Sequence, residues 1–181
     1  MTIVSDCLCP SLPDLAHIPM GDHRGGDEQF LETVKVLRNA GEPRWWLYLC
    51  QCGSCQQNWL VAQEERIYDE HLLVKISQER ADAVLYAGKW PDTFSTYESV
   101  LTIAQTLSHP GQFLDPMAWS LLCPVDDLRR ERHDISEDEM AHLLGISRRH
   151  VHRLIVRNAR ASIGERMKGW LSFVRGNRSF H

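Results

Sequence analysis

The sequence predicts an α+β protein in which a small antiparallel sheet with flanking helices precedes a mainly helical C-terminal unit. Runs rich in β-branched and aromatic residues are concentrated in the first half, whereas apolar residues at helical spacing dominate the second half. Charge divides the chain similarly, because residues 1–128 carry 8 Lys and Arg against 18 Asp and Glu, and residues 129–181 carry 12 against 6. We therefore expect two domains, 1–95 and 96–181.

An extended segment and a helix are predicted before the sheet. Three prolines and a Gly-Gly pair oppose regular structure in residues 1–25, which we expect to be extended. Asp27 can cap a helix over residues 27–40, which Gly41 and Pro43 would end. The apolar face of this helix would consist of Phe30, Leu31, Val34 and Leu37.

Three strands are predicted between residues 44 and 77, around a Cys-x-x-Cys turn. The β-rich runs are 44–50, 59–62 and 72–76. The segment 63–70 between the last two runs is polar and mainly acidic. It fits a solvated loop, or alternatively an acidic patch that binds a basic partner.

Three further helices are predicted after the sheet. The first covers residues 78–87 and ends at Gly88, and the second covers residues 96–107. The third covers residues 116–132, and Pro124 inside it should introduce a kink or a break.

The spacing of the cysteines predicts a metal site. Cys52 and Cys55 form a C-x-x-C pair, and the C-x-C pair of Cys7 and Cys9 lies on an extended segment that can fold back beside it. Four thiolates suit a closed, tetrahedral, structural zinc site. The order strand, Cys-x-x-Cys turn, strand, strand is similar to that of a zinc ribbon.

Several alternatives to this ligand set stay open. Cys50 competes for the place of Cys7 or Cys9, and His17 and His23 are weaker candidates. A thioredoxin-like redox pair is disfavoured, because the residues that follow the second thiol of the C-x-x-C pair do not resemble the start of a helix. The thiols could also simply be buried.

The segment 136–158 is typical of two short helices joined at a glycine. Ser136 and Glu139 fit a capping box at the start of the first helix. Gly145 fits a left-handed turn, and Ser147 fits the N-cap of the second helix. The inward positions at helical spacing are Met140, Ala141, Leu144, Val151, Leu154 and Ile155.

This pattern resembles the helix-turn-helix of bacterial transcriptional regulators, and with the preceding helix the likeness covers residues 117–158. The resemblance implies that the second helix contacts DNA. The side chains that would face the major groove are Arg148, Arg149, His152 and Arg153, with Ser147 near the phosphates at the start of the helix. The DNA backbone would be held by Arg157, Arg160 and Lys168.

Two functions remain in competition. The first is a DNA-binding transcriptional regulator with structural Zn²⁺ in its N-terminal part. The second follows from a loose likeness to zinc-bearing antitoxin and immunity-type proteins, which usually carry two C-x-x-C pairs. In that case the chain would neutralise a basic protein such as a toxin, and its helix-turn-helix would be structural. The basic C-terminal segment could also dock on the acidic part of its own chain.

Other classes of protein receive little support from the sequence. No apolar run reaches about twenty residues and no secretory signal is recognisable, which predicts a soluble, cytoplasmic protein without a membrane partner. No P-loop, G-x-S-x-G or H-E-x-x-H motif is present, so we do not expect an enzyme. An apolar stripe over 163–174 predicts either a homodimer seam or packing on its own domain.

Overall fold

The computed structural model describes residues 7–19, 26–42, 44, 46–64, 70–107, 116–117 and 119–160. The chain divides into two compact units, which are residues 1–113 and residues 114–181. The α+β class predicted from the sequence is confirmed, because the first unit contains a five-stranded antiparallel sheet with helices and the described part of the second unit is helical.

The first unit is built on five strands arranged in the order β1-β5-β4-β3-β2, with every neighbouring pair antiparallel. Three of them, β3, β4 and β5, confirm the strands predicted around the Cys-x-x-Cys turn. The other two enlarge the sheet beyond the predicted ribbon. Their bounds are β1 Leu15–Pro19, β2 Val34–Asn39, β3 Leu47–Cys52, β4 Asn58–Glu64 and β5 Glu70–Ile76.

The helix predicted over residues 27–40 is wrong beyond Thr33. Helix α1 covers Gly26–Thr33, and the chain then enters β2 directly. Val34 lies opposite Cys52 in the antiparallel pairing of β2 with β3. Pairing at the sheet edge supplies backbone hydrogen bonds to β-branched residues, and this outweighs the helical spacing of the apolar side chains.

Both faces of the sheet are buried at its central strand, β4. Side chains alternate along β4, so Trp59 and Val61 face one side and Leu60 and Ala62 face the other. All four are at most 2% exposed. On the first face, Trp59 and Val61 belong to a core that includes Phe30 of α1 and residues of the N-terminal segment. Cys9, Cys50 and Cys52 belong to the same core.

Two helices follow the sheet, as predicted. Helix α2 covers Gln78–Ala87 and ends at Gly88, whose φ of +65° is left-handed. Helix α3 covers Tyr97–Gln105 after a capping box at Thr96. The Tyr97 hydroxyl donates a hydrogen bond of 2.8 Å to Glu64 Oε1 of β4. This contact explains why α3 belongs to the first unit, which extends to residue 113 rather than to the predicted boundary at residue 95.

The second unit contains three described helices: α4 at Leu122–Glu131, α5 at Glu137–Leu143 and α6 at residues 148–160. The predicted helix over 116–132 begins later than expected, because Trp119–Leu121 forms a 3₁₀ turn. Pro124 therefore stands in the first turn of α4. Backbone N–H groups have no helical partner there, so the proline does not interrupt a helix interior.

The connection between α5 and α6 has the predicted local geometry. Ser136 and Glu139 form the capping box of α5, and Gly145 takes a left-handed φ of +60°. Arg157 and Asn158 of α6 each donate a 3.0 Å hydrogen bond to backbone carbonyls at 117 and 122, which ties α6 to the start of α4. The side chains predicted to be inward are buried at Met140, Ala141, Leu144, Val151 and Leu154.

Two carboxyl groups are buried where β4 and β5 pair at their ends. Glu64 and Glu70 lie opposite each other and are 2% and 5% exposed, so the solvated loop predicted over 63–70 is wrong at these two positions. Residues 65–69 lie outside the described residues. Burial and the negative charge of Glu64 raise the pKa of Glu70 to about 7. Glu70 is therefore partly protonated near neutral pH.

Stability should fall as the pH rises through the pKa of Glu70. Its pKa of about 7 in the folded chain lies above the ordinary value of 4.5, so the protonated form favours folding. This stabilisation is complete below pH 4.5 and is lost as the pH passes 7. Urea unfolding at pH 5 and pH 8 should show that Glu70→Gln removes about 1–3 kcal/mol of this pH dependence. The exposed Glu32→Gln should leave it unchanged, and equal pH dependence in both variants would contradict the assignment.

Candidate functional site

The four cysteines predicted to bind a metal lie together in the structure. The sulfur atoms of Cys7, Cys9, Cys52 and Cys55 are all within 4.8 Å of one another, and none is in a disulfide. A tetrahedral zinc–thiolate site has Zn–S bonds of about 2.3 Å, which places its sulfurs about 3.8 Å apart. A small contraction of the cluster is enough to surround one ion, so the donor set fits zinc.

The turn between β3 and β4 carries two of these sulfurs. Cys52 is the last residue of β3, and Gly53–Cys55 form the turn. Gln56 then takes a left-handed φ of +61°, and its backbone N–H donates a 3.1 Å hydrogen bond to the carbonyl of Cys52. The sheet pairing on both sides of the turn fixes its position, so this half of the cluster is part of the sheet.

The N-terminal segment brings the other two sulfurs onto the sheet. Leu8 and Leu12 pack against the core beneath the cluster. Lys75 of β5 holds the segment by two hydrogen bonds, in which its Nζ donates to the carbonyl of Leu12 at 2.7 Å and its backbone N–H donates to the carbonyl of Asp14 at 2.9 Å. Cys9 is consequently 3% exposed.

Trp59 links the cluster to the core of the first unit. Its indole N–H donates a 3.2 Å hydrogen bond to Cys9 Sγ, and its ring packs edge-on against Phe30 with centroids 5.9 Å apart. The ammonium of Lys75 lies 5.4 Å from the centroid of the indole. Four thiolates around a divalent cation carry excess negative charge, which this N–H donor and this cation would offset. The sequence identified Trp59 only as the aromatic residue after the turn.

The thiols of the cluster differ in acidity. Burial raises the pKa of Cys9 to about 12, against the opposing effect of the Trp59 hydrogen bond. Burial would also raise the pKa of Cys52, but hydrogen bonds from the backbone N–H groups of Cys55 and Ser54 outweigh it and the pKa is lowered. A hydrogen bond with Cys55 is the main cause that raises the pKa of Cys7. The four cysteines would bind a metal in their thiolate form, so metal binding must release protons from the thiols.

Two of the competing ligands predicted from the sequence, Cys50 and His17, are not part of this cluster. Cys50 of β3 is buried in the core that contains Trp59, and burial raises its pKa to about 12. Neither Cys50 nor His17 of β1 belongs to the group of four sulfurs, which is the group identified within the described residues. His23 lies outside the described residues. The cluster therefore favours the ligand set of Cys7, Cys9, Cys52 and Cys55.

The side chains predicted to contact DNA take different environments along α6. Arg148 Nε lies 3.3 Å from Glu137 Oε2, and His152 Nδ1 lies 2.9 Å from Glu137 Oε1. The hydrogen bond from His152, and then that from Arg148, lowers the pKa of Glu137. Ser147 Oγ is 3.0 Å from the ring of His150. Lys168 and the apolar stripe at 163–174 lie outside the described residues.

Arg149 and Arg153 form the freely exposed part of this basic face. They lie one turn apart on α6, and within the part of the chain that the structure describes neither has an acidic partner. A groove of about 440 Å³ runs beside Arg153. Its described lining is four basic side chains and one apolar side chain, namely His152, Arg153, Arg157, Arg160 and Val156. Such a groove is suited to an anion.

No known protein family, curated protein or solved structure matches the chain. Within the described ranges, no helix combines the length and the apolar character that crossing a membrane requires. Any assignment of function therefore depends on the cysteine cluster and on the basic face of α6.

We expect purified protein to contain about one metal ion per chain. The double change Cys52→Ser and Cys55→Ser should remove the metal and lower the midpoint of thermal unfolding, because metal binding and folding of the first unit are coupled. Elemental analysis and calorimetry measure both effects. Cys123→Ser, which changes an exposed thiol on α4, is the control and should retain the metal. Full metal content in the double variant would contradict the site.

Trp59→Phe should weaken metal binding by about tenfold, because the hydrogen bond to Cys9 Sγ is lost while most of the apolar ring remains. Competition with a chromophoric zinc chelator measures this affinity. Trp46→Phe makes the same indole-to-phenyl change beside Tyr97 and should leave the affinity unchanged. If both variants bind zinc like the wild type, the indole does not tune the site.

Proposed function

We propose that the protein is a DNA-binding transcriptional regulator of the cytoplasm that holds a structural zinc ion in its first unit. The observation that carries this proposal is the exposed basic face of α6, which follows directly on the left-handed turn at Gly145. A capped helix, a glycine turn and a second helix with a basic outer face are the parts that a helix-turn-helix needs.

The proposed zinc site would have a structural role. All four protein ligands are thiols, and two of them, Cys9 and Cys52, are buried. Catalytic zinc sites usually keep one coordination position open for water or substrate, whereas a four-thiolate site is closed. When bound, the ion supplies a crosslink between the N-terminal segment and the β3–β4 turn. Trp59 and Lys75 would stabilise the negative charge of the thiolates, because the Trp59 indole N–H donates to Cys9 Sγ and the Lys75 ammonium lies beside the indole ring.

In the proposed DNA complex, α6 would lie against the major groove. Arg149 and Arg153 would provide the guanidinium groups that contact base edges or phosphates, because both are exposed and one helical turn apart. Arg160 would extend the same row toward the DNA backbone, and Ser147 would lie near the phosphates at the start of the helix. Arg157 contributes differently, since its guanidinium already donates to the carbonyl of Met117 and keeps α6 in place.

A second candidate function is supported by the acidic residues that face α6. Glu137 and Asp138 pair with Arg148, and Glu137 also pairs with His152. These contacts reduce the charge available to phosphate, as expected if the helix-turn-helix were structural. The chain would then bind and neutralise a basic protein partner such as a toxin. Such a protein would form a tight stoichiometric complex and would show no affinity for DNA.

A salt-titrated binding assay separates the two functions. The full-length chain is mixed with duplex fragments that surround its own locus, and the dissociation constant is measured at several salt concentrations. Binding that weakens steeply with salt supports the regulator, because phosphate contacts release counterions. Absence of binding at the lowest salt concentration would overturn the regulator and favour the protein-binding function.

Arg149→Ala and Arg153→Ala should each weaken DNA binding by about 1–3 kcal/mol if the residue contacts a base. Arg130→Ala is the matched control, because Arg130 lies on α4 and pairs with Asp126 and Asp127. It removes the same charge and should change the affinity little. Wild-type affinity in both α6 variants would contradict the proposed placement of the helix.

A further inference from the structure

Glu137 contacts two side chains of α6 at once, those of Arg148 and His152, with one carboxylate oxygen for each. Oε2 lies 3.3 Å from Arg148 Nε, and Oε1 lies 2.9 Å from His152 Nδ1. Arg148 and His152 are four residues apart and therefore share one face of the helix. The two donors thus converge on a single anionic group with two oxygens. A phosphate diester also presents two non-bridging oxygens, which share one negative charge, and it would satisfy the same two donors.

The position of Glu137 is fixed by its neighbours. It is the first residue of α5 and lies in the sequence between Ser136 and Glu139, the two members of the capping box. Arg132 holds the third residue of α5 through a 2.8 Å ion pair with Glu139. The side chain of Glu137 is 28% exposed, whereas those of Arg148 and His152 are 65% and 63% exposed. The carboxylate therefore lies beneath the pair, and the side chains of Arg148 and His152 remain open to solvent.

We propose that Arg148 and His152 form a phosphate-binding pair for a nucleic-acid backbone and that Glu137 occupies this pair as an internal competitor. A backbone phosphate would gain these two donors only by displacing the carboxylate, so Glu137 lowers the affinity of α6 for polyanions. This inference rests on the proposed function for the identity of the polyanion. The competition itself depends only on three side chains and can be tested with an inorganic anion.

The neighbouring surface favours this site over an isolated ion pair. His152 also lines the basic groove with Arg153, Arg157 and Arg160. A polyanion bound at the pair could therefore extend along a row of cationic groups on α6. Asp138 strengthens the competition, because its Oδ2 lies 3.4 Å from the Arg148 guanidinium. Both acids come from the first turn of α5, so one short segment controls one end of the row.

The test is the full-length Glu137→Gln variant, since glutamine keeps the size of the side chain and removes its charge. Two probes are used, inorganic tripolyphosphate and a mixed-sequence duplex of about 20 base pairs. We expect the variant to bind both probes about 5–10 times more tightly than the wild type. For DNA, the slope of log K against log salt should become more negative by about 1, the value for one added phosphate contact. Asp134→Asn, which removes one exposed negative charge between α4 and α5, should give little gain.

Every outcome decides the inference. A gain with both probes that Arg148→Ala abolishes in the Glu137→Gln background supports it. A gain for tripolyphosphate without any DNA binding supports the competition by Glu137, but it overturns the nucleic-acid backbone as the ligand of the pair, and with it the regulator. If the wild type binds DNA and Glu137→Gln, at unchanged thermal stability, binds neither probe more tightly, Glu137 is not a competitor. That outcome does not contradict the regulator. An equal gain in Asp134→Asn, or failure of all proteins to bind either probe, overturns it as well.

Discussion

The first unit depends on the meeting of two distant chain segments at four sulfur atoms. Cys52 and Cys55 are placed by the strands on both sides of their turn, whereas Cys7 and Cys9 lie on a segment without regular hydrogen bonding of its own. Ordering such a segment costs conformational entropy at every residue. Its few apolar and hydrogen-bonded contacts would offset this cost better with a shared ion. The sheet thus provides a rigid half-site that the N-terminal segment completes.

Features that depend on local pattern could be predicted from the sequence. The capping box at Ser136, the turn at Gly145 and the helix that ends at Gly88 each rest on residues within one or two helical turns. The four cysteines were also predictable, because zinc chemistry requires a second pair once the first is found. Strand β2 could not be predicted, since Val34 fits a helical stripe and only its pairing with the distant β3 makes it a strand.

The partners of charged side chains could not be predicted from the sequence, because they too depend on contacts between separate elements. Glu70 looked solvated because its own segment is polar, yet the sheet register sets it against Glu64 beneath Tyr97. Arg148 lies in a basic stretch, but α5 folds back so that Glu137 reaches it across the glycine turn. Local composition therefore overestimated the solvent exposure of the acids and the freedom of the bases. The residues that lie close in space, rather than those close in sequence, determine the electrostatic environment of Glu70 and of Arg148.

The N-terminal segment has a consequence for how long the protein survives in a cell. Lys75 and the sulfur of Cys9 hold residues 7–14 over Trp59 and the apolar face around it. If the cluster holds a metal ion, loss of that ion would release this segment, and unstructured chain ends are where proteases begin to cut. Uncovering the indole would also expose a surface prone to aggregation. Metal supply would thus regulate the protein through its turnover, whatever the second unit binds.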